Sequence, residues 1–216
     1  FIPYTFDLKN KGTNRGITEF LKTCCDSNVI YVRMDDDIVW TDTPSKLRSA
    51  LEVVEANENS FVFANVLNNA VSTYIHQALE KDSLSSLPFT ALKHSFCPSG
   101  WLSGRNAHLL HMHVLSSHPS SFRTYSSYKI QQRYSINCFM WKGTTMKDVL
   151  ISESIGTLEE EFYIGKVLRN KKVQGIWFGG FVCVHFTFFT QEKYLMNTNI
   201  LQQYKKIFTE GNVLSA

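Results

Sequence analysis

No stretch of this chain approaches the roughly 20 consecutive apolar residues that a membrane-spanning helix needs. The longest apolar run, Gly175 to Phe189, is short and carries His185. The start has no signal-peptide pattern. A chain that opens on Phe1 fits a fragment whose leader or anchor lies upstream. Cysteine is sparse: five residues with no CxxC pair, which excludes a zinc site built from thiolates. Free thiols and the lack of any Asn-x-Ser/Thr acceptor favour a reducing, cytoplasmic setting. No phosphate-binding GxxxxGK[ST] loop and no HExxH zinc motif occurs. The charge excess is only +3, too small and too scattered for a nucleic-acid surface, so no nucleic-acid partner is expected.

What is present is a chain with 44% hydrophobic and 19% charged residues, enough to bury a sizeable core. Its 216 residues read as one domain with no internal repeat and no linker. Apolar and β-branched runs suggest strands at Phe1–Tyr4, Val29–Met34, Phe61–Val66, Tyr134–Trp141, Val173–Phe178 and Phe181–Phe189. Helical spacing marks 16–25, 44–54, 70–80, 106–116, 144–149, 159–170 and 191–208. Pro44, following Thr43, is a helix-start signal. Strands alternating with helices predict an α/β fold with a mostly parallel central sheet flanked by helices. Ligands in such sheets bind beyond the carboxyl ends of strands.

That rule directs attention to Asp35-Asp36-Asp37, immediately after the Val29–Met34 run, which reads as a buried strand. Three adjacent carboxylates repel one another unless solvent, a basic group or a cation relieves them. In an extended segment Asp35 and Asp37 point to one side and Asp36 to the other. Two hard oxygen ligands on one side suit Mg²⁺ or Mn²⁺ shared with phosphate oxygens. The alternative is an acidic turn ahead of the helix at Thr43.

The segment Val-Ile-Tyr-Val-Arg-Met-Asp-Asp-Asp-Ile-Val-Trp (29–40) resembles the strand-plus-DxD segment of GT-A-fold glycosyltransferases. The resemblance implies a Rossmann-like, mostly parallel sheet over a single catalytic domain spanning 1–216. It also implies a divalent metal on the diphosphate of a nucleotide-sugar donor, and a hydroxyl acceptor on a glycan, a protein or a small molecule. Asp35 and Asp37 would hold Mn²⁺ or Mg²⁺. Asp36 and Arg33 would meet ribose, sugar or leaving-group charge.

Three later segments extend the likeness. Gly156-Thr157-Leu158-Glu159-Glu160-Glu161-Phe162 is similar to the family's acidic motif near the acceptor, which makes Glu160 and Glu161 the candidates for general base. Acidic residues also favour helix N-termini for dipole reasons alone. In Val182-Cys183-Val184-His185-Phe186-Thr187, a histidine inside an apolar strand needs a partner. Many family members complete the metal shell with a late histidine, so His185 is either that ligand or a satisfied core residue. Asn68, in the polar run after the Phe61–Val66 strand, and Trp101, in a Gly/Ser-rich turn, are candidate sugar contacts. Only 34 residues precede Asp35, fewer than a base-binding start usually occupies. Either Phe1–Asp7 is that first strand, with Pro3 and Tyr4 at the base, or this part is missing. The competing readings are another metal-dependent phosphate-ester enzyme, such as a nucleotidyltransferase or phosphohydrolase, and a non-catalytic carbohydrate-binding domain.

Overall fold

The structure is a computed structural model that describes residues 20–21, 23–91, 103–131, 134, 136–152, 160–170 and 173–213. Among the described residues six strands form one sheet: β1 (Ile30–Met34), β2 (Ile38–Thr41), β3 (Ser60–Leu67), β4 (Ser127–Ile130), β5 (Cys138–Lys142) and β6 (Gln174–His185). The helices whose bounds lie within the described residues are α1 (Pro44–Ala56), α2 (Ala70–Ile75), α3 (Gly104–Ser117), α4 (Gly143–Ser152), α5 (Glu160–Arg169), α6 (Phe189–Leu195) and α7 (Ile200–Val213). The last turn of the α2 segment, His76–Glu80, widens to π geometry.

The strand order is β1-β5-β3-β6-β2, with β4 beside the first half of β6. Only β3 and β6 are parallel; the β1–β5, β5–β3, β2–β6 and β4–β6 pairs are antiparallel. The expected parallel, Rossmann-like sheet is therefore wrong. Strand–helix alternation along the chain was the warrant for it, and alternation does not fix direction. Here β1 reaches β2 through a three-residue turn, and β2 is antiparallel to the last strand of the chain.

That turn also dictates curvature. β1 and β2 stand at opposite ends of the strand order, four inter-strand steps apart. In a flat sheet those steps would span about 19 Å. Met34 and Ile38 are four residues apart, a reach of at most about 14 Å. The Ile38 amide lies 3.4 Å from the Asp35 carbonyl, so the real span is shorter still. The sheet must curl to bring its two ends together, giving a nearly closed, barrel-like shape. Register shifts in β3 at Ala64/Asn65 and in β2 at Ile38/Trp40 accommodate the bend.

β3 is the spine, buried at every residue. Its side chains alternate: Val62, Ala64 and Val66 pack under Ala50 and Val54 of α1. Phe61 and Phe63 face the opposite layer, with Trp141, Trp177 and residues of α2 and α5. Leu67 continues that side into a cluster built by α3, α6 and α7. β1, expected to be buried, is an edge strand with Val32 and Met34 each 40% exposed. The two strands expected around Gly179-Gly180 are one continuous β6. The glycines there admit the neighbouring chain: a Cβ on Gly179 would sit 2.1 Å from Thr124 Oγ1. The helix expected over 191–208 is broken into α6 and α7. No helix among the described residues is long and apolar enough to cross a membrane.

Candidate metal centre

The acidic run is a tight turn, not the extended segment expected from sequence. Its outcome for side chains is nevertheless a same-side pair. Asp35, Asp37 and His185 each offer a ligand atom, and these atoms lie within 4.8 Å of one another. His185 Nε2 is 3.0 Å from Asp37 Oδ1 and 3.7 Å from Asp35 Oδ2. Asp36 is exposed and stands outside the cluster.

Backbone pairing explains the convergence of residues 150 positions apart. Ile38 pairs with His185, and the Phe186 amide donates to the Asp37 carbonyl at 2.9 Å. The Asp35 amide donates to the Asn137 carbonyl at 2.8 Å, at the head of β5. The turn is thus pinned at both ends, one to each side of the curled sheet. His185 closes β6 and Leu67 closes β3, so the site lies at the carboxyl ends of the one parallel pair.

The Asp35 carboxylate is oriented from behind. Asp35 Oδ1 is paired with Arg33 Nη1, which also donates to the Ile136 carbonyl. Asp35 Oδ2 accepts from Asn137 Nδ2 at 2.7 Å. Asn137 Oδ1 accepts in turn from Asn69 Nδ2 at 3.1 Å. Asn69 Oδ1 caps α2 by accepting from the Val71 and Ser72 amides at 2.9 and 3.2 Å. A chain of amides therefore runs from a helix N-terminus to a carboxylate of the cluster. A carboxylate has about four lone-pair sites, so Asp35 keeps capacity for a cation beside these two contacts.

The chemistry of the set fits a hard divalent ion with one nitrogen ligand. The His185 side chain is only 4% exposed, while Asp35 and Asp37 are 21% and 30% exposed. The imidazole is thus the buried member of the set, and the two carboxylates are its partly exposed members. His185 Nδ1 is buried and has no hydrogen-bond partner among the described residues.

The other sequence candidates are placed as follows. Arg33 braces Asp35. Asn68 is fully buried; its amide donates to the Phe186 carbonyl and to Gln191 Oε1, both at 3.0 Å. Glu160 and Glu161 open α5, with side chains outside the described residues. Pro3, Tyr4 and Trp101 also lie outside them, as does the rest of Phe1–Asp7. His111 is a core residue whose ring meets the Phe186 carbonyl at 2.8 Å and the Tyr204 hydroxyl at 3.1 Å. Burial pushes its pKa down to about 4. Cys24, Cys138 and Cys183 are free thiols, and burial raises the Cys183 pKa well above the ordinary value.

Asn137 was not legible as a site residue, and Asn69 stood out only as part of the polar run after the Phe61–Val66 strand, a candidate sugar contact and not a brace for Asp35. Asn137 sits 102 residues from Asp35, in a segment whose pattern signalled only a strand. Comparison with known protein families, curated proteins and solved structures finds no match for this chain.

Proposed function

We propose that the chain is a metal-dependent glycosyltransferase that binds a nucleotide-sugar diphosphate through a divalent cation held by Asp35, Asp37 and His185. The observation that carries this reading is the convergence of those three side chains, two carboxylates from one turn and an imidazole from the end of β6. The resemblance of residues 29–40 to a strand-plus-DxD segment supports the choice of donor. The fold offers no support beyond placing the cluster at the carboxyl ends of β3 and β6.

In the reaction, the bond between the sugar's anomeric carbon and the diphosphate oxygen breaks. Its electron pair leaves with the nucleoside diphosphate, and the acceptor hydroxyl oxygen bonds to the anomeric carbon. The hydroxyl proton passes to a carboxylate, for which Glu160 and Glu161 are the candidates. A bound cation supplies Lewis-acid stabilisation of charge on the diphosphate. Asp35, Asp37 and His185 would hold that cation, while Arg33 and Asn137 fix the Asp35 carboxylate.

A phosphate-ester hydrolase of the two-metal kind would use a second carboxylate cluster. Among the described residues a single cluster occurs. Asp42, the next acid in sequence, is committed to Arg123 Nε at 3.0 Å and to the Val182 amide at 3.2 Å. A panel of nucleotide sugars, followed by nucleoside diphosphate release with Mn²⁺, tests the reading. One donor should react, and both EDTA and Asp37→Ala should lower turnover by at least about 100-fold, the scale of losing a transition-state electrostatic contact. Undiminished transfer in EDTA would overturn the mechanism.

A further inference from the structure

Asp35 is held in place by Arg33 and by the Asn137 amide. His185 has no such polar brace. Its Nε2 faces Asp37 Oδ1 at 3.0 Å and Asp35 Oδ2 at 3.7 Å. Its Nδ1 is buried without a hydrogen-bond partner among the described residues. A histidine that ligates a metal ordinarily donates from its second ring nitrogen, and that bond fixes the plane of the ring. The torsion that turns an imidazole is soft and roughly two-fold, so without the bond packing must set the plane.

One aromatic contact is placed to do so. The Phe188 ring centroid lies 4.4 Å from that of His185, with the planes tilted by 44°. That separation is at the close end of aromatic pairing. Among the described residues no other ring pairs with His185. Phe188 is itself pinned. Its amide donates to Gln191 Oε1 at 3.1 Å, and its carbonyl accepts from the Gln191 and Glu192 amides at 2.7 and 3.2 Å. Gln191 Oε1 also accepts from Asn68 Nδ2 at 3.0 Å, and both of these residues are fully buried. The half-buried Phe188 ring packs against the cluster built by α3, α6 and α7. Two adjacent residues at the end of β3 thus begin two chains. Asn69 reaches Asp35 through Asn137, and Asn68 reaches His185 through Gln191 and Phe188.

We propose that Phe188 is a positioning residue, whose ring holds the His185 imidazole in the plane that turns Nε2 towards Asp35 and Asp37. Its consequence for metal binding rests on the function proposed above; the ring contact does not.

Two measurements on three variants test this. Phe188→Leu keeps an apolar side chain and removes the ring, whereas Phe188→Tyr keeps the ring. Phe189→Leu, a change at the 90%-exposed neighbour, is the control. The first measurement is nuclear magnetic resonance of the metal-free, ¹³C-histidine-labelled chain, with His185 identified as the signal missing from His185→Gln. An aromatic ring displaces the resonances of protons packed on it. The His185 ring protons should therefore move in Phe188→Leu and stay near their wild-type positions in Phe188→Tyr and Phe189→Leu. The second is Mn²⁺ affinity, which should fall about tenfold in Phe188→Leu and stay within about twofold of wild type in the other two. Unmoved His185 resonances in Phe188→Leu, undiminished Mn²⁺ affinity there, or a Phe188→Tyr chain as weak as Phe188→Leu would each overturn the proposal. Where Phe188→Leu does not fold, cross-relaxation between the two rings in the wild type decides, and its absence overturns the contact. A wild type that binds Mn²⁺ with a Phe188→Leu chain that binds it equally well sinks the role of Phe188 and leaves the metal centre standing. A wild type that binds no Mn²⁺ sinks the metal-centred function, and displaced His185 resonances in Phe188→Leu then uphold the positioning of the imidazole by itself.

Discussion

Asn69→Ala tests whether the amide chain behind Asp35 orients the cluster. The substitution removes the side-chain cap of α2, worth about 1 kcal/mol. It also strips the partner from Asn137 Oδ1, on a residue only 4% exposed. An unsatisfied buried acceptor costs about 1–3 kcal/mol. The sum is a loss of roughly 2–4 kcal/mol, which a domain holding about 5–15 kcal/mol survives. Urea unfolding followed by far-UV circular dichroism measures that part. The second part is specific to the site. Asn137 without Asn69 is free to turn, and Asp35 Oδ2 loses its fixed 2.7 Å donor. Partners that orient metal ligands from behind are typically worth about 10–100-fold in metal affinity. Mn²⁺ affinity should therefore fall about tenfold in the folded variant. Ser103→Ala removes a cap from α3, where Ser103 Oγ accepts from the Asn106 amide, a helix end with no link to the triad. It should lower stability and leave Mn²⁺ affinity unchanged. An Asn69→Ala protein that is destabilised yet binds Mn²⁺ like the wild type would refute the reasoning.

Two further outcomes follow from the packing. The His111 pKa is lowered in the fold from 6.5 to about 4, so the unfolded chain binds more protons between those values. Its contribution to stability is complete above about pH 6.5 and is lost as pH falls towards 4, a change of about 3 kcal/mol. Urea midpoints across that window should slope less steeply in His111→Gln than in the wild type, and equal slopes would contradict the assignment. Gly143→Ala places a Cβ 2.0 Å from the Asp26 carbonyl oxygen and 2.5 Å from its carbon, both backbone atoms in the turn before β1. Overpacking against backbone that cannot rotate away should cost about 1–3 kcal/mol and lower the melting temperature by roughly 3–10 °C. An unchanged melting temperature would show that the turn yields.

How much was legible in the sequence depended on whether a signal was local. α1 was, because Pro44 marks its start and Ala50 and Val54 recur on one face. β3 was, because Phe61, Val62, Phe63 and Ala64, buried on both faces, read as a short continuous apolar run. Strand direction was not. It is set by the three-residue turn at Asp35–Asp37 and by long-range register, neither of which leaves a periodic trace. β1 looked buried because Ile30, Tyr31 and Val32 are β-branched or aromatic, yet it pairs only on one side. β4 was missed because Ser127, Tyr128 and Lys129 carry half-exposed, polar character at an edge. Gly179-Gly180 looked like a break, but Gly179 serves the close approach of residues 124–126 and Gly180 leaves room for the Phe178 ring. Within the site, Asp35, Asp37 and His185 were legible because charge beside a strand and an imidazole inside an apolar run are each costly without a partner. Asn137 was not, and Asn69 was read only as a possible sugar contact, since an amide carries no such penalty until the fold brings its partner near.

The central claim is that Asp35, Asp37 and His185 hold one divalent ion together. Titration of the purified chain with Mn²⁺, reading free ion by electron paramagnetic resonance, tests it directly. The account predicts one site per chain, and weakening of at least about tenfold in Asp37→Ala and in His185→Ala, with Asp36→Ala close to wild type. Binding that survives His185→Ala, or that depends on Asp36 as strongly as on Asp37, would contradict it.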